Sequence, residues 1–433
     1  MRVGIVWECP WIVSSYGKLT LWLAHGLIKQ GFDVRVYCPF PAVLTYDRVF
    51  KYKSPCIHRE VCVDHEPVEV TSDVYACSDE DVDVWIIAGT PHGEVESRRI
   101  TKCSHSKAPV AGYIVTETYL VAGTYMLPYI FHFDAVAFPA RAVADAYMSY
   151  DEAALFHGDW VLAPHGLPDY YFELDRDHVL DKALNLMPPT SEIREALEAR
   201  RKGKCIGTFA KNHPRKDYPM LLTAFAYLRR QDPELRLLLA YINFVGAPVW
   251  DIQSIKMQLG LTEGVIDLNQ FNVQVGVTEF GLLTLYSAMN VYAIATLGEG
   301  FGLPLVEAGA LRLPIVATRT PVLEEIWEGY ELLADARPVI TSDGHVLFST
   351  NPVDLAEKIK TALENQEEYG RKARAIAEKY RLEAMVKGIT ELVDKAVRNK
   401  GRKIQHPIQW TARPAPRNQV LDLMVKYYSK LKQ

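Results

Sequence analysis

The chain has 433 residues, with 48 Lys and Arg against 53 Asp and Glu for a formal net charge of −5. Such a length exceeds one ordinary hydrophobic core and leads us to expect two domains of about 150–200 residues. The near balance of charge, with no basic block denser than the "ARRKGK" around Arg200, speaks against nucleic acid as a main partner.

Residues 2–7, RVGIVW, form an apolar run that Glu8 and Pro10 cut short. No small-residue cleavage site follows, so the run reads as a buried first strand and not as a leader. After a loop, KLTLWLAHGLIKQG reads as a helix, with Leu19, Leu23, Ala24, Leu27 and Ile28 on one face and Gly31 at its end. DVRVYC then resumes as a strand. In CIHREVCVDHE, Cys56, His58, Cys62 and His65 are all zinc-ligand types, but their spacing matches no standard finger and strand alternation explains it as well. VWIIAG (from Val84), VAGYIV (Val110), DAVAF (Asp134) and WVLAP (Trp160) complete the strand series. Strands alternating with helices argue a doubly wound parallel sheet.

The composition changes over the charged stretch from Leu167 to Lys204, which holds Pro188 and Pro189 and lacks a long apolar strand; a domain boundary at 180 is placed inside it. A second βα series follows: CIGTFA (Cys205), LRLLLAYI (Leu235), GVIDL (Gly264), VYAIA (Val291) and LPIVAT (Leu313). Between the first two, YPMLLTAFAYLRR puts Leu221, Leu222, Phe225 and Leu228 on one helical face, with Asp217 placed to cap it. The second domain is set at 181–400, its end helical and highly charged. In the tail, 401–433, Leu421, Met424, Val425 and Tyr428 give an apolar stripe expected to dock on the first domain or the hinge. The run from Leu237 is shorter than the roughly 20 residues of a membrane span. Seven cysteines without Cys-x-x-Cys suit reduced thiols in a cytoplasm.

In TLGEGFGLPLVEAGAL, the strand VYAIA feeds a loop with Gly298, Gly300 and Gly302, and Pro304 marks the first turn of a helix. Glycines permit close backbone approach, and the N–H groups of that helix start, around Gly302 to Leu305, make an anion site at the carboxyl end of a strand. Glu299 in the loop and Glu307 at the end of the first turn add two fixed acceptors beside it. That suits a ligand with hydroxyls next to phosphate. The plainer alternative is that Glu307 complements the helix dipole and Glu299 is solvated. GTFAKNHPRKDYP puts Lys211, Arg215 and Lys216 in the turn between the first strand and first long helix of this half, on the same carboxyl edge. Solvated surface lysines are the alternative there.

EGFGLPLVEA, with Glu299 and Glu307 seven residues apart, resembles the signature of the retaining glycosyltransferases of family 4, the glycosyl transferase group 1 domain. KNHPRKDYPMLLTAFAYL, LYSAMNVYAIAT and LPIVATRTPVLEEI extend the likeness over about Cys205 to Asp394; SSYGKLTLWLAHGLIKQGFDVRVY and LAPHGLP resemble the family more weakly. The resemblance implies an α/β GT-B fold, two Rossmann-like doubly wound domains facing across a cleft, the second binding a nucleotide sugar and the first an acceptor. It implies that Glu307 holds the ribose hydroxyls, Glu299 a hydroxyl of the donor sugar, and the amides of Gly300, Phe301, Gly302 and Leu303 the sugar and distal phosphate. Lys216 matches the diphosphate lysine, Arg215 lies beside it, and Lys211 stands where arginine is usual. Gly17, after the first strand, would let backbone reach the phosphate from the other side.

Gly298 and Thr296 replace a serine-rich approach to Glu299, and Thr116 and Glu117 fall near where many members have a histidine. Tyr16, His92 and Glu117 follow strands of the first domain and are candidate acceptor contacts, with ordinary loop residues as the alternative. Phe271 in LNQFNVQ is a candidate wall for the base. The expected function is transfer of a sugar from a UDP- or GDP-linked donor to an acceptor hydroxyl, with retention and without metal or resident cofactor. The acceptor is a glycan, a lipid or a small molecule; a lipid-linked one would bring peripheral membrane contact. The rivals are a nucleotide-sugar epimerase on the same fold and a non-catalytic subunit that binds nucleotide sugar.

Overall fold

The computed structural model describes residues 1–12, 14–39, 49–53, 66–90, 94–117, 127–150, 153, 156–186, 189–243, 249–268, 278–341, 345–402 and 421–425. The chain divides into two compact units: Met1–Pro168 with Ile340–Val346 and Tyr380–Gln433, and Asp169–Val339 with Leu347–Lys379.

The first unit is built on eight strands: β1 (Arg2–Val6), β2 (Asp33–Cys38), β3 (Val49–Tyr52), β4 (Val68–Ser72), β5 (Val84–Gly89), β6 (Val110–Ile114), β7 (Ala135–Phe138) and β8 (Asp159–Leu162). Their order is β3-β4-β2-β1-β5-β6-β7-β8, parallel except for β3 against β4. Val3, Ile5, Val36, Val84, Ile86, Val110 and Val136 are wholly buried, as expected for strands covered on both faces. β3 and β4 escaped the sequence reading because they are short and mixed in polarity.

The first helix, Ser15–Lys29, starts three residues earlier than its apolar stripe suggests, because the Ser14 hydroxyl accepts the Gly17 N–H at 2.9 Å and caps it. A later helix, Leu382–Arg398, also belongs to this unit, where a boundary at 400 had put it in the second domain. Met385, Val386, Ile389, Leu392 and Val393 form its buried face, and Gly388 packs so closely that a Cβ there would lie 2.6 Å from the Leu162 carbonyl oxygen. Its apolar stripe, and not its charged outer face, decides which unit it joins. The change of unit near the linker falls at Pro168, ahead of 180, and three helices, Tyr170–Glu173, Arg176–Leu186 and Ser191–Arg201, occupy the charged stretch.

Among the described residues Cys9 is paired with Cys38 and Cys77 with Cys103, while Cys205 is free and buried. This corrects the expectation of reduced thiols. Neighbouring β1 and β2 bring the loop after one to the end of the other, a proximity that sequence spacing conceals. The Cys56, His58, Cys62 and His65 cluster lies outside the described residues. Leu421 and Val425 are 60% and 57% exposed, so the described part of the tail stripe is not buried. Among the described residues no helix is long and apolar enough to cross a membrane.

The main sheet of the second unit has six parallel strands: β9 (Cys205–Asn212), β10 (Arg236–Asn243), β11 (Val265–Asp267), β12 (Val291–Ile294), β13 (Ile315–Thr318) and β14 (Leu333–Ala334). Their order, β11-β10-β9-β12-β13-β14, reverses direction between β9 and β12. Ligands of open α/β sheets bind at such a switch point. The helix Tyr218–Gln231 buries Leu221, Leu222, Phe225 and Leu228 as its period requires. Asp217 occupies its N-cap position, but the side chain makes no capping hydrogen bond.

Candidate active site

The β9 and β12 strands are hydrogen-bonded neighbours, so the turns leaving their carboxyl ends meet. From β12 the chain passes through Thr296 and the glycine loop into the helix Leu303–Ala310. Gly302 is its N-cap, at φ +84°, with Pro304 in the first turn. A side chain at 302 would be strained, and its Cβ would lie 2.8 Å from Leu323 Cδ2. Gly300, Phe301, Gly302 and Leu303 are all buried; in the first turn Pro304 has no N–H and the Leu305 N–H already donates to Gly302 O at 2.9 Å.

Glu299 is only 5% exposed, yet it is ionised and well matched. Its Oε2 lies 3.1 Å from Arg215 Nη1; its Oε1 pairs with Lys216 Nζ and accepts the Thr296 hydroxyl at 2.9 Å. Burial pushes this carboxyl up, but the charges of Lys216 and Arg215, with hydrogen bonds from Lys216 and Thr296, outweigh burial and bring it down to about 2. The two loops are also joined through backbone, since Arg215 O accepts the Leu297 N–H at 2.7 Å. Lys211 is exposed on β9; of the three cations, it is Arg215 and Lys216 that reach Glu299.

Glu307, 1% exposed, sits in a hydroxyl-lined position. Tyr286 Oη lies 2.8 Å from its Oε2 and Tyr171 Oη 3.4 Å from its Oε1. Tyr171 also donates to Glu279, as does Tyr170 at 3.1 Å. Burial, and then the Glu307 charge, push the Tyr286 hydroxyl well up, so it remains a donor at neutral pH. Sequence reasoning missed both tyrosines. Tyr171 lies in the charged linker and Tyr286 reads as one more apolar helix residue.

Gly17 is buried, and its lack of a side chain has a cause within the fold: a Cβ would lie 2.1 Å from the Ile12 carbonyl oxygen. The half-buried Tyr16 ring packs 5.5 Å from that of Trp7. Glu117, also half-buried, follows Thr116, whose hydroxyl lies 2.8 Å from Tyr147 Oη. His92 and Phe271 lie outside the described residues. Among the described residues, no group of three or more His, Cys, Asp or Glu is placed to hold a metal ion.

Two doubly wound units, with a cation-bearing turn and a glycine loop at the switch point of the second, define the GT-B fold, which solved structures share. The chain superposes on Anabaena Alr3699/HepE, solved in complex with UDP and glucose, with a TM-score of 0.63 over 91% of this chain and 99% of that one, at 14% identity. Sucrose-phosphate synthase from Thermosynechococcus elongatus gives a TM-score of 0.63 over 90% and 98%, at 15% identity. At such identity the likeness is one of fold. Residues 189–382 match the family described as glycosyl transferases group 1. The serotype-specific mannosyltransferase WbdA of Escherichia coli is 34% identical over 113 residues, 26% of this chain and 13% of WbdA.

Proposed function

We propose that the chain is a retaining glycosyltransferase that moves a hexose from a nucleoside diphosphate to an acceptor hydroxyl. The observation that supports this best is the convergence of Arg215, Lys216 and Thr296 on the buried Glu299, beside the start of the helix Leu303–Ala310. In this structure the two cations neutralise Glu299. With donor bound, they turn to the diphosphate and Glu299 accepts a hydroxyl of the sugar. Charge that grows on the leaving phosphate then meets two cations and the helix amides, so no metal is needed. Lys211 adds to this positive edge from β9, and Glu307, oriented by Tyr286, takes the ribose. The leaving phosphate receives the acceptor proton on the face where the acceptor arrives, which gives retention.

UDP or GDP is the nucleotide class we assign, given that HepE was solved with UDP and glucose and that WbdA is a mannosyltransferase. The first unit, with Tyr16, Gly17, His92 and Glu117, is assigned to the acceptor side, and Phe271 to the base. The acceptor is a glycan, a lipid or a small molecule. The cytoplasm stays the proposed compartment because a nucleotide sugar is made and used inside cells; the cysteines no longer support it. Incubation with UDP- and GDP-hexoses, with and without a panel of glycan and lipid acceptors, tests the reading. Acceptor-dependent release of diphosphate is expected, and conversion of the sugar without any acceptor would overturn it in favour of an epimerase.

A further inference from the structure

The turn His213–Lys216 has to present two adjacent cations to one side of the site. Their mutual repulsion opposes this, and a short turn with a proline offers little backbone to hold it. Its first three carbonyls are nevertheless all held by donors. His213 O accepts the Lys216 N–H at 2.8 Å, Pro214 O the Trp250 Nε1–H at 3.2 Å, and Arg215 O the Leu297 N–H at 2.7 Å. Pro214 has no N–H, so its carbonyl is its one hydrogen-bonding group.

Trp250 lies beyond the carboxyl end of β10, just before the helix Ile252–Gln258, and is itself fixed by Asn212, the last residue of β9. Asn212 Nδ2 donates to Trp250 O at 2.9 Å, and Trp250 N donates to Asn212 Oδ1 at 3.0 Å. The ladder between β9 and β10 ends at Asn212 and Asn243; the Asn212 amide adds one more rung to a chain that has already left the sheet. Asn212 is 1% exposed, so its amide is committed to this pairing in a protected place. Beyond Trp250 opens a polar cavity of about 690 Å³, lined also by Tyr241, Gln253, Lys256 and Asp267. Trp250 thus both lines this cavity and donates its indole N–H to the turn.

We infer that Asn212 and Trp250 are positioning residues that hold the turn so that Arg215 and Lys216 meet the donor's diphosphate. The inference rests on the proposed role of those two cations. Trp250→Phe keeps a ring but removes the N–H, and Asn212→Asp keeps the acceptor for the Trp250 N–H while replacing the donor to its carbonyl. Calorimetry with UDP, GDP, UMP and GMP is the test. For whichever nucleotide the parent chain binds, each variant should weaken the diphosphate about 3- to 10-fold and the monophosphate less than twofold, because the monophosphate lacks the distal phosphate. Unchanged diphosphate affinity in a cooperatively melting variant overturns the inference, as does an equal loss for both nucleotides, which would mark a merely structural role. Should Trp250→Phe fail to fold, Asn212→Asp decides. Lys216→Ala separates the two levels: if it leaves diphosphate affinity unchanged, the proposed function fails; if it weakens binding and the positioning variants do not, only this inference fails.

Discussion

Arg215 Nη1 and Glu299 Oε2 lie 3.1 Å apart across a sequence separation of 84, so the cationic turn after β9 and the glycine loop after β12 form one electrostatic unit. Lys216 completes it from the same turn. Glu299 is buried while the two cations are half-buried, which has consequences for stability as well as for binding.

The Glu299 carboxyl titrates at about 2 against an ordinary 4.5. A depressed acid stabilises the fold above its unfolded pKa, and that contribution is lost as the pH falls through the folded value. The parent chain should therefore lose about 2–3 kcal/mol from this group between pH 4.5 and 2, a slope that Glu299→Gln should lack. Denaturant titrations across that range check this; equal acid slopes would place the carboxylate outside the ion pair.

Asp217 behaves in the opposite sense. Burial pushes its carboxyl up to about 6, and interactions with the backbone N–H groups of Met220 and Thr350 offset this only in part. A raised acid favours the fold where it is protonated, below the unfolded value of 3.8, and this advantage is lost as the pH rises through 6. Asp217→Asn should thus stabilise the chain by about 2 kcal/mol at pH 8, with the gain shrinking towards pH 4. Thermal melts at the two pH values measure it.

Gly302→Ala should destabilise the second unit by about 1–2 kcal/mol, because φ +84° and the contact with Leu323 both disfavour a Cβ. It should also displace the helix start and lower turnover more than stability alone explains. Glycine at 302 with full activity and alanine at 302 with equal activity would remove the helix start from the site.

Transfer should persist in excess EDTA, since Arg215, Lys216 and the helix amides are assigned the charge that a cation would otherwise supply. Loss of transfer that magnesium or manganese restores would contradict that assignment.

Much of the second unit is legible in sequence. Five of the six strands of its main sheet fall on the apolar runs read from sequence, the two-residue strand Leu333–Ala334 being too short to see, and Gly298, Gly300, Gly302 and Pro304 mark a strand-to-helix turn whatever the rest of the chain does. The carboxylates and cations around that turn follow from the doubly wound topology. Contacts that depend on packing are not legible in this way. Trp250 reaches Pro214 across 36 residues and Tyr171 reaches Glu307 across 136, and neither residue type stands out from its neighbours. The pairing of Cys9 with Cys38 likewise needs the adjacency of β1 and β2. Helix Leu382–Arg398 joins the first unit through its apolar stripe, and the close fit at Gly388 is a contact that periodicity does not encode.

The central claim is that Lys216 holds the phosphates of the donor and Glu299 its sugar. Calorimetry of the bare nucleoside diphosphate and the intact nucleotide sugar, on Lys216→Ala and Glu299→Gln, tests it most directly. Each contact is a charge-assisted hydrogen bond worth about 1.5–3 kcal/mol, a 10- to 150-fold effect. Lys216→Ala is expected to weaken both ligands by such a factor, and Glu299→Gln to weaken the nucleotide sugar while leaving the diphosphate bound as tightly as before or more tightly. If Glu299→Gln weakens the bare diphosphate as much as Lys216→Ala does, the division of the site between phosphate and sugar is wrong.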